Sequence, residues 1–268
     1  MDRPNSFLTT PVAILLGSFV ISIAILINGG IIKIGPKTTA TKATTQQPSA
    51  APQQAAPQPK ASLAQVKDAF SKSQIKFGDA NKKLVVIEVA DPSCPYCHIA
   101  AGKNPELNKQ VGSRFTLVSD GGSYVAPVPE IQKLVSSGKV AFAWVYTPGH
   151  GNGEMGTKAM YCAFEKGKFW EVHDLLMTNE AYDLLNNTIK NDKAKSGELA
   201  DFLQPVFDPA SMKQCLDSGK YDNRLNDDVA LAQGLGISGT PGFYLNETQF
   251  SGAYSYTDME SVVKAAGI

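Results

Sequence analysis

Cysteine and histidine are scarce in this 268-residue chain, with four of the first and three of the second. Four cysteines are too few for a disulfide scaffold but suit one reactive pair plus one structural pair. His98, His150 and His173 are scattered without a metal-binding spacing, so neither a metal nor another cofactor is expected. An excess charge of one sign is missing too: 25 basic residues balance 25 acidic ones, and nothing points to nucleic acid. No internal repeat is present, and the length suffices for a substantial core.

What is there begins with an apolar run. From Thr9 to Ile32 no residue is charged, and about 20 apolar residues suffice for a helix to cross the hydrocarbon core. A cleaved signal peptide would carry a shorter run, roughly 7–15 residues, ending at a small-residue site. Asn28-Gly29-Gly30-Ile31-Ile32 offers none, so residues 1–34 are read as an uncleaved transmembrane anchor in the lipid bilayer. Lys33, Lys37 and Lys42 follow the run while only Arg3 precedes it, which by the positive-inside count puts the large domain in the cytoplasm. The cysteine chemistry argues for an oxidising compartment instead, and the expected location is a single-pass cell-membrane protein with its catalytic domain on the extracytoplasmic side. Residues 35–61, rich in Thr, Ala, Gln and Pro, cannot bury enough surface to offset the entropy of ordering and read as a disordered linker.

Residues 62–268 carry the periodic patterns. A short helix is predicted near Ser62–Ser73. Leu84–Ala90 and Val140–Tyr146 are continuous apolar runs, the pattern of strands buried on both faces. Between them the sequence predicts a helix near Glu130–Ser136 and an extra hairpin or loop. Helical spacing dominates about 153–234, and strands at Gly242–Leu245 and Thr248–Phe250 precede a last helix near Thr257–Ala266. The class is α/β, with an α-helical insertion between two pairs of strands.

Cys94-Pro95-Tyr96-Cys97 follows the first buried strand at the expected start of a helix. There, unpaired N–H groups and a partial positive charge favour a Cys94 thiolate. Cys97, three residues on, can resolve a mixed disulfide. Pro95 suits the first helical turn. Three other readings compete. Cys94–His98 literally matches a c-type haem attachment motif, yet it leaves a strand rather than sitting among helices. A zinc site is disfavoured because Cys162 and Cys215 lack a paired spacing. A purely structural Cys94–Cys97 disulfide closes too short a loop to stabilise much.

Glu88 is the one charge in its strand, six residues before Cys94. Buried and unpaired, its carboxyl would have a raised pKa and could exchange a proton with Cys97; the alternative is a solvent-facing edge position. Thr240-Pro241 follows a glycine-rich turn, a setting for a cis peptide or an ordinary turn proline. His98 and His150 are candidates to stabilise the thiolate or are plain surface residues. Cys162 and Cys215 sit among apolar neighbours. In an oxidising compartment their disulfide, closing a loop of about fifty residues, would add roughly 3–4 kcal/mol; two buried free thiols are the alternative.

Four motifs in order carry a family resemblance: Leu84–Glu88, Cys94-Pro95-Tyr96-Cys97, Gly167-Lys168-Phe169-Trp170-Glu171 and Gly236-Ile237-Ser238-Gly239-Thr240-Pro241. Leu84–Ile268 resembles the DsbA-like family of thioredoxin-fold disulfide oxidoreductases. The resemblance implies a thioredoxin-like fold with an inserted helical domain. It also implies a nucleophile at Cys94, a resolving thiol at Cys97, a buried acid at Glu88 and a cis-proline at Pro241. Pro95, Tyr96, His98 and Thr240 would support the site. Implied partners are unfolded or folding exported proteins and a membrane or small-molecule redox partner that recycles the pair. Residues 107–137 are longer than that family usually has. The expected function is introduction of disulfides into exported proteins, with isomerase, reductase or a non-catalytic binding module as alternatives.

Overall fold

The computed structural model describes residues 61–268. The expected anchor, and the linker except for Ala61, lie outside them. Among the described residues no helix is long and apolar enough to cross a membrane. Ala61 itself, expected in the linker, is buried, its N–H donating to the Tyr244 hydroxyl at 3.3 Å.

Helix α1 (Leu63–Lys72) opens with a reciprocal cap between Ser62 and Gln65. Strand β1 (Ile75–Phe77) follows, then β2 (Val85–Ala90) and β3 (Ala141–Tyr146). Strands β4 (Gly242–Leu245) and β5 (Thr248–Ser251) complete one sheet in the order β1-β3-β2-β4-β5. β2 and β3 run parallel, with Glu88 opposite Trp144; the other pairings are antiparallel. β1 escapes a sequence reading because three residues are too few to show a period of two. It is nonetheless anchored, since Ile75 is fully buried and Phe77 stacks on Trp170 at 5.7 Å.

Every residue of β2 and β3 is buried, and alternate residues serve two cores. Val86, Ala90, Phe142, Trp144 and Tyr146 face a larger core, while Val85, Ile87, Val89, Ala141, Ala143 and Val145 face a smaller one. Burial on both faces is why the two strands lack polar alternation. The larger core takes in α2 (Pro95–Ala101), α4 (Pro127–Ser136), α11 (Tyr256–Ala265) and most of the helical insertion. That insertion comprises α5 (Glu154–Phe164), α6 (Phe169–Leu176), α7 (Asn179–Asp183), a π-helical turn over Leu184–Ile189, α8 (Ser196–Phe202), α9 (Pro209–Asp217) and α10 (Asp222–Gly234). α10 ends on the sheet's other face, where Ala232 and the following Leu235 join Val66 and Phe70 of α1.

The stretch between α2 and β3 is neither a plain loop nor a hairpin. It holds α3 (Pro105–Val111), two single 3₁₀ turns and one bridge between Leu117 and Tyr124. Phe115, Tyr124, Ala126 and Ile99 of α2 form a small core of their own. α4 starts at Pro127, earlier than expected, because proline fits a first helical turn.

Candidate functional site

The turn Asp91-Pro92-Ser93 leads from β2 into α2, and Cys94 is the N-cap of that helix with Pro95 in its first turn. The N–H groups of Cys97 and His98 donate to the Cys94 carbonyl, at 3.1 and 3.3 Å. Both cysteines are free thiols and buried. Across from them the Thr240–Pro241 peptide is cis, and Cys94 Sγ lies 3.5 Å from the Thr240 carbonyl oxygen. The Thr240 hydroxyl is buried without another partner, so it can turn toward the sulfur.

This setting splits the two thiols. Hydrogen bonding from Cys97, aided by Thr240 and the backbone N–H groups of Cys97 and Tyr96, brings Cys94 down to about 6 against the opposing effect of burial. Burial, and then the hydrogen bond to Cys94 and the charge on it, push Cys97 well above the ordinary thiol value. At neutral pH the pair is therefore one thiolate and one thiol, a nucleophile beside a proton-holding neighbour.

Glu88 lies on the same face of β2 as Val86 and Ala90, toward the larger core that contains both cysteines. It is buried, its Oε2 has no hydrogen-bond partner, and burial raises its carboxyl to about 8. The solvent-facing alternative is excluded. No hydrogen bond joins it to Cys97. His98 departs further from expectation: its ring is fully buried, with Nε2 2.8 Å from the Pro92 carbonyl and Nδ1 2.9 Å from the Met177 carbonyl. Burial lowers its pKa to about 4, so it is no cation beside the thiolate; the neutral ring sits between the active-site turn and the end of α6 and donates to one of the two carbonyls. His150 exposes its ring and contributes a backbone N–H instead. Cys162 of α5 and Cys215 of α9 are disulfide-bonded, their Cα atoms 6.2 Å apart.

A family model described as thioredoxin matches residues 129–265, just over half of the chain. The chain belongs to the thioredoxin family. The matched region starts after the cysteine motif and includes Thr240-Pro241. Among curated proteins, a Na(+)/H(+) antiporter NhaA of Salinispora tropica is 25% identical over 193 residues, which cover 70% of this chain but 24% of the antiporter. The chain thus spans about a quarter of the length of that relative. Disulfide bond formation protein D of Bacillus subtilis is 22% identical over 72% of this chain and 77% of its own length. The crystal structure of oxidised BdbD from Bacillus subtilis superposes with a TM-score of 0.52 at 20% identity, covering 74% of this chain and 95% of that one. That likeness shows the shared fold.

Two parts of this thioredoxin-family site were not legible beforehand. One is a groove of about 560 Å³ beside Thr240, lined by Tyr96, Phe115, Tyr124 and Tyr254, with Arg114 and Asp258 at its polar positions. The long stretch after α2 builds one wall and the β5–α11 loop the other. The Tyr124 hydroxyl joins them, its one proton shared between the Ala253 and Tyr254 carbonyl oxygens, both at 3.3 Å. Local sequence gave no sign that segments 130 residues apart meet. Tyr96, inside the motif, is 41% exposed and turns to this groove. The other part is Asp91, in the turn between β2 and the cysteine motif, which is completely buried.

Proposed function

We propose that this chain is a thiol–disulfide oxidoreductase that introduces disulfide bonds into exported proteins through Cys94 and Cys97. The observation that carries the reading is the split pair: a Cys94 thiol held near 6 and a Cys97 thiol held high, at a helix N-terminus facing Thr240. A stabilised Cys94 thiolate favours the reduced pair, which makes the oxidised pair a good electron acceptor. The likeness to the disulfide bond formation protein of Bacillus subtilis supports the same direction. The antiporter in the other relative's name is not carried over, because the shared region covers only 24% of it.

The reaction starts from the Cys94–Cys97 disulfide. A substrate thiolate attacks Cys94 Sγ, forming a mixed disulfide while the electron pair of the broken bond leaves on Cys97. Cys97 takes up a proton, as its high pKa demands, and Glu88, protonated through neutral pH, is the buried acid on the same sheet face able to replenish it. A second substrate thiolate attacks the substrate sulfur of the mixed disulfide and expels Cys94, a good leaving group because of its low pKa. The substrate has lost two electrons and the pair has gained them. A membrane or small-molecule redox partner must remove them to complete a cycle. The aromatic groove beside Thr240 suits an extended, unfolded segment, whose backbone can pair with the Thr240 peptide as a short strand.

The apolar run Thr9–Ile32 and the polar tract up to residue 61 support a reading as membrane anchor and tether, with residues 62–268 as the catalytic domain outside the membrane. Equilibration of the protein with glutathione buffers tests the main claim. A reduction potential near about −120 mV supports an oxidant, one near about −270 mV a reductase; a pair that does not cycle overturns the reading.

A further inference from the structure

The Asp91 carboxylate is the most heavily bonded acid near the site. Its Oδ1 accepts from the Ser93 N–H and the Ser93 hydroxyl, both at 2.7 Å. Its Oδ2 accepts from three consecutive backbone N–H groups, those of Gly149 (2.7 Å), His150 (2.9 Å) and Gly151 (3.4 Å). These belong to the turn between β3 and α5, 58 to 60 residues away. Ser93 extends the link, its Oγ accepting from the Asn152 N–H at 3.1 Å. Five donors around one buried carboxylate leave no lone pair to spare, and a carboxylate paired this way is among the stronger fasteners available inside a protein.

What that fastener holds bears on the reaction. Gly149 packs so closely that an added Cβ would fall onto the Thr240 hydroxyl and come within 3.2 Å of Cys94 Cβ. Gly153 is just as tight on the near side, where a Cβ would strike Asp91 Oδ1. The turn therefore packs against Cys94 and Thr240 together, alongside the seam where the two groups meet. At the other end of the residue, the Asp91 N–H donates to Cys97 Sγ at 3.4 Å.

We propose that Asp91 is the positioning residue of this site, its carboxylate drawing the 149–151 turn inward so that Gly149 holds Cys94 against Thr240. The proposal rests on the oxidoreductase reading for its consequence but not for its test. Asp91 touches no substrate; it acts through Gly149. An isosteric Asp91→Asn puts an NH₂ group against donors and loosens the turn, while Gly149→Ala pushes the same seam apart from within.

The experiment is a double-mutant cycle on the whole chain with Asp91→Asn, Gly149→Ala and both together. Three quantities are read: turnover of a reduced, unfolded substrate protein, the rate of Cys94 alkylation against pH, and the thermal midpoint. Each single change is expected to lower kcat at least tenfold with KM within twofold, and to move the alkylation midpoint at least threefold in proton concentration. The double variant is expected to be no more than twofold worse than the poorer single. Multiplying losses, or an Asp91→Asn protein with wild-type alkylation and kcat, overturns the proposal. So does a loss explained by unfolding alone, with alkylation of the folded fraction unchanged. Should the wild-type pair fail to cycle with glutathione, the oxidoreductase reading falls, and alkylation still decides whether Asp91 positions Cys94.

Discussion

Cys94 and Thr240 lie 146 positions apart in the chain, yet the sulfur of one is 3.5 Å from the carbonyl oxygen of the other. The contact exists because β2 and β4 are neighbours, with Val89 paired to Gly242. The cysteine turn leaves β2 at the same end where residues 240–241 enter β4. A shared strand end, rather than any local motif, assembles the reactive centre.

The two cysteines are expected to fail differently. Cys94→Ser removes the nucleophile and abolishes exchange. Cys97→Ser keeps the Cys94 sulfur but removes the neighbouring thiol that can resolve a mixed disulfide from within the protein, so Cys94 should accumulate as an adduct with glutathione or substrate. Non-reducing electrophoresis and intact mass distinguish the two. Equal adduct formation with and without Cys97 would contradict the assignment.

The Cys94 value near 6 also makes a stability prediction. An acid whose pKa is lower in the folded state, here against 9.0, stabilises that state above the unfolded value. That contribution declines as pH falls toward 6 and is gone below it. The reduced protein should therefore gain stability relative to the oxidised protein, which has no thiol to titrate, as pH rises from about 6 to about 9. Urea unfolding of both forms across this range checks it, and parallel curves would refute the low value.

How much of this could be read beforehand depends on where each signal lies. β2 and β3 announced themselves because burial on both faces writes unbroken apolar runs. Cys94, Pro95 and Cys97 were readable because their chemistry depends on three adjacent features: a strand end, a proline and a helix start. His98 could not be placed from local sequence, since its surroundings include the carbonyl of Met177, 79 residues away. Asp91 was missed because a buried acid and a turn-forming acid look identical in sequence, and only the partners at 149–151 tell them apart. The same holds for the groove, whose two walls meet through Tyr124 and the carbonyls of residues 253 and 254.

Glu88 should behave oppositely to Cys94 with pH. Its carboxyl is raised from 4.5 to about 8 by burial, so the folded state tolerates it best when protonated. Stability tied to Glu88 is fully present below 4.5 and is lost as pH rises through about 8. Glu88→Gln keeps the shape without the charge and should gain about 1–4 kcal/mol relative to the natural protein at pH 8. The same variant should slow the step that protonates Cys97. A variant no more stable at pH 8 than at pH 5, relative to the parent, would show that Glu88 finds water or a partner when ionised.

The disulfide between Cys162 and Cys215 should matter for stability and not for chemistry. It closes a loop of 53 residues, for which chain entropy assigns about 4 kcal/mol to the constraint on the unfolded state. It ties α5 to α9 inside the insertion, whereas the reactive sulfurs sit at the end of β2. Replacing both cysteines with alanine should lower the unfolding free energy by up to that amount. The rate of Cys94 alkylation and the glutathione equilibrium should stay within about twofold, because distant, unshared contacts act additively. Denaturant titration with a parallel thiol assay separates the two effects. A large shift in the Cys94–Cys97 equilibrium would mean that α5, which follows the turn gripped by Asp91, transmits strain from the disulfide to the reactive pair.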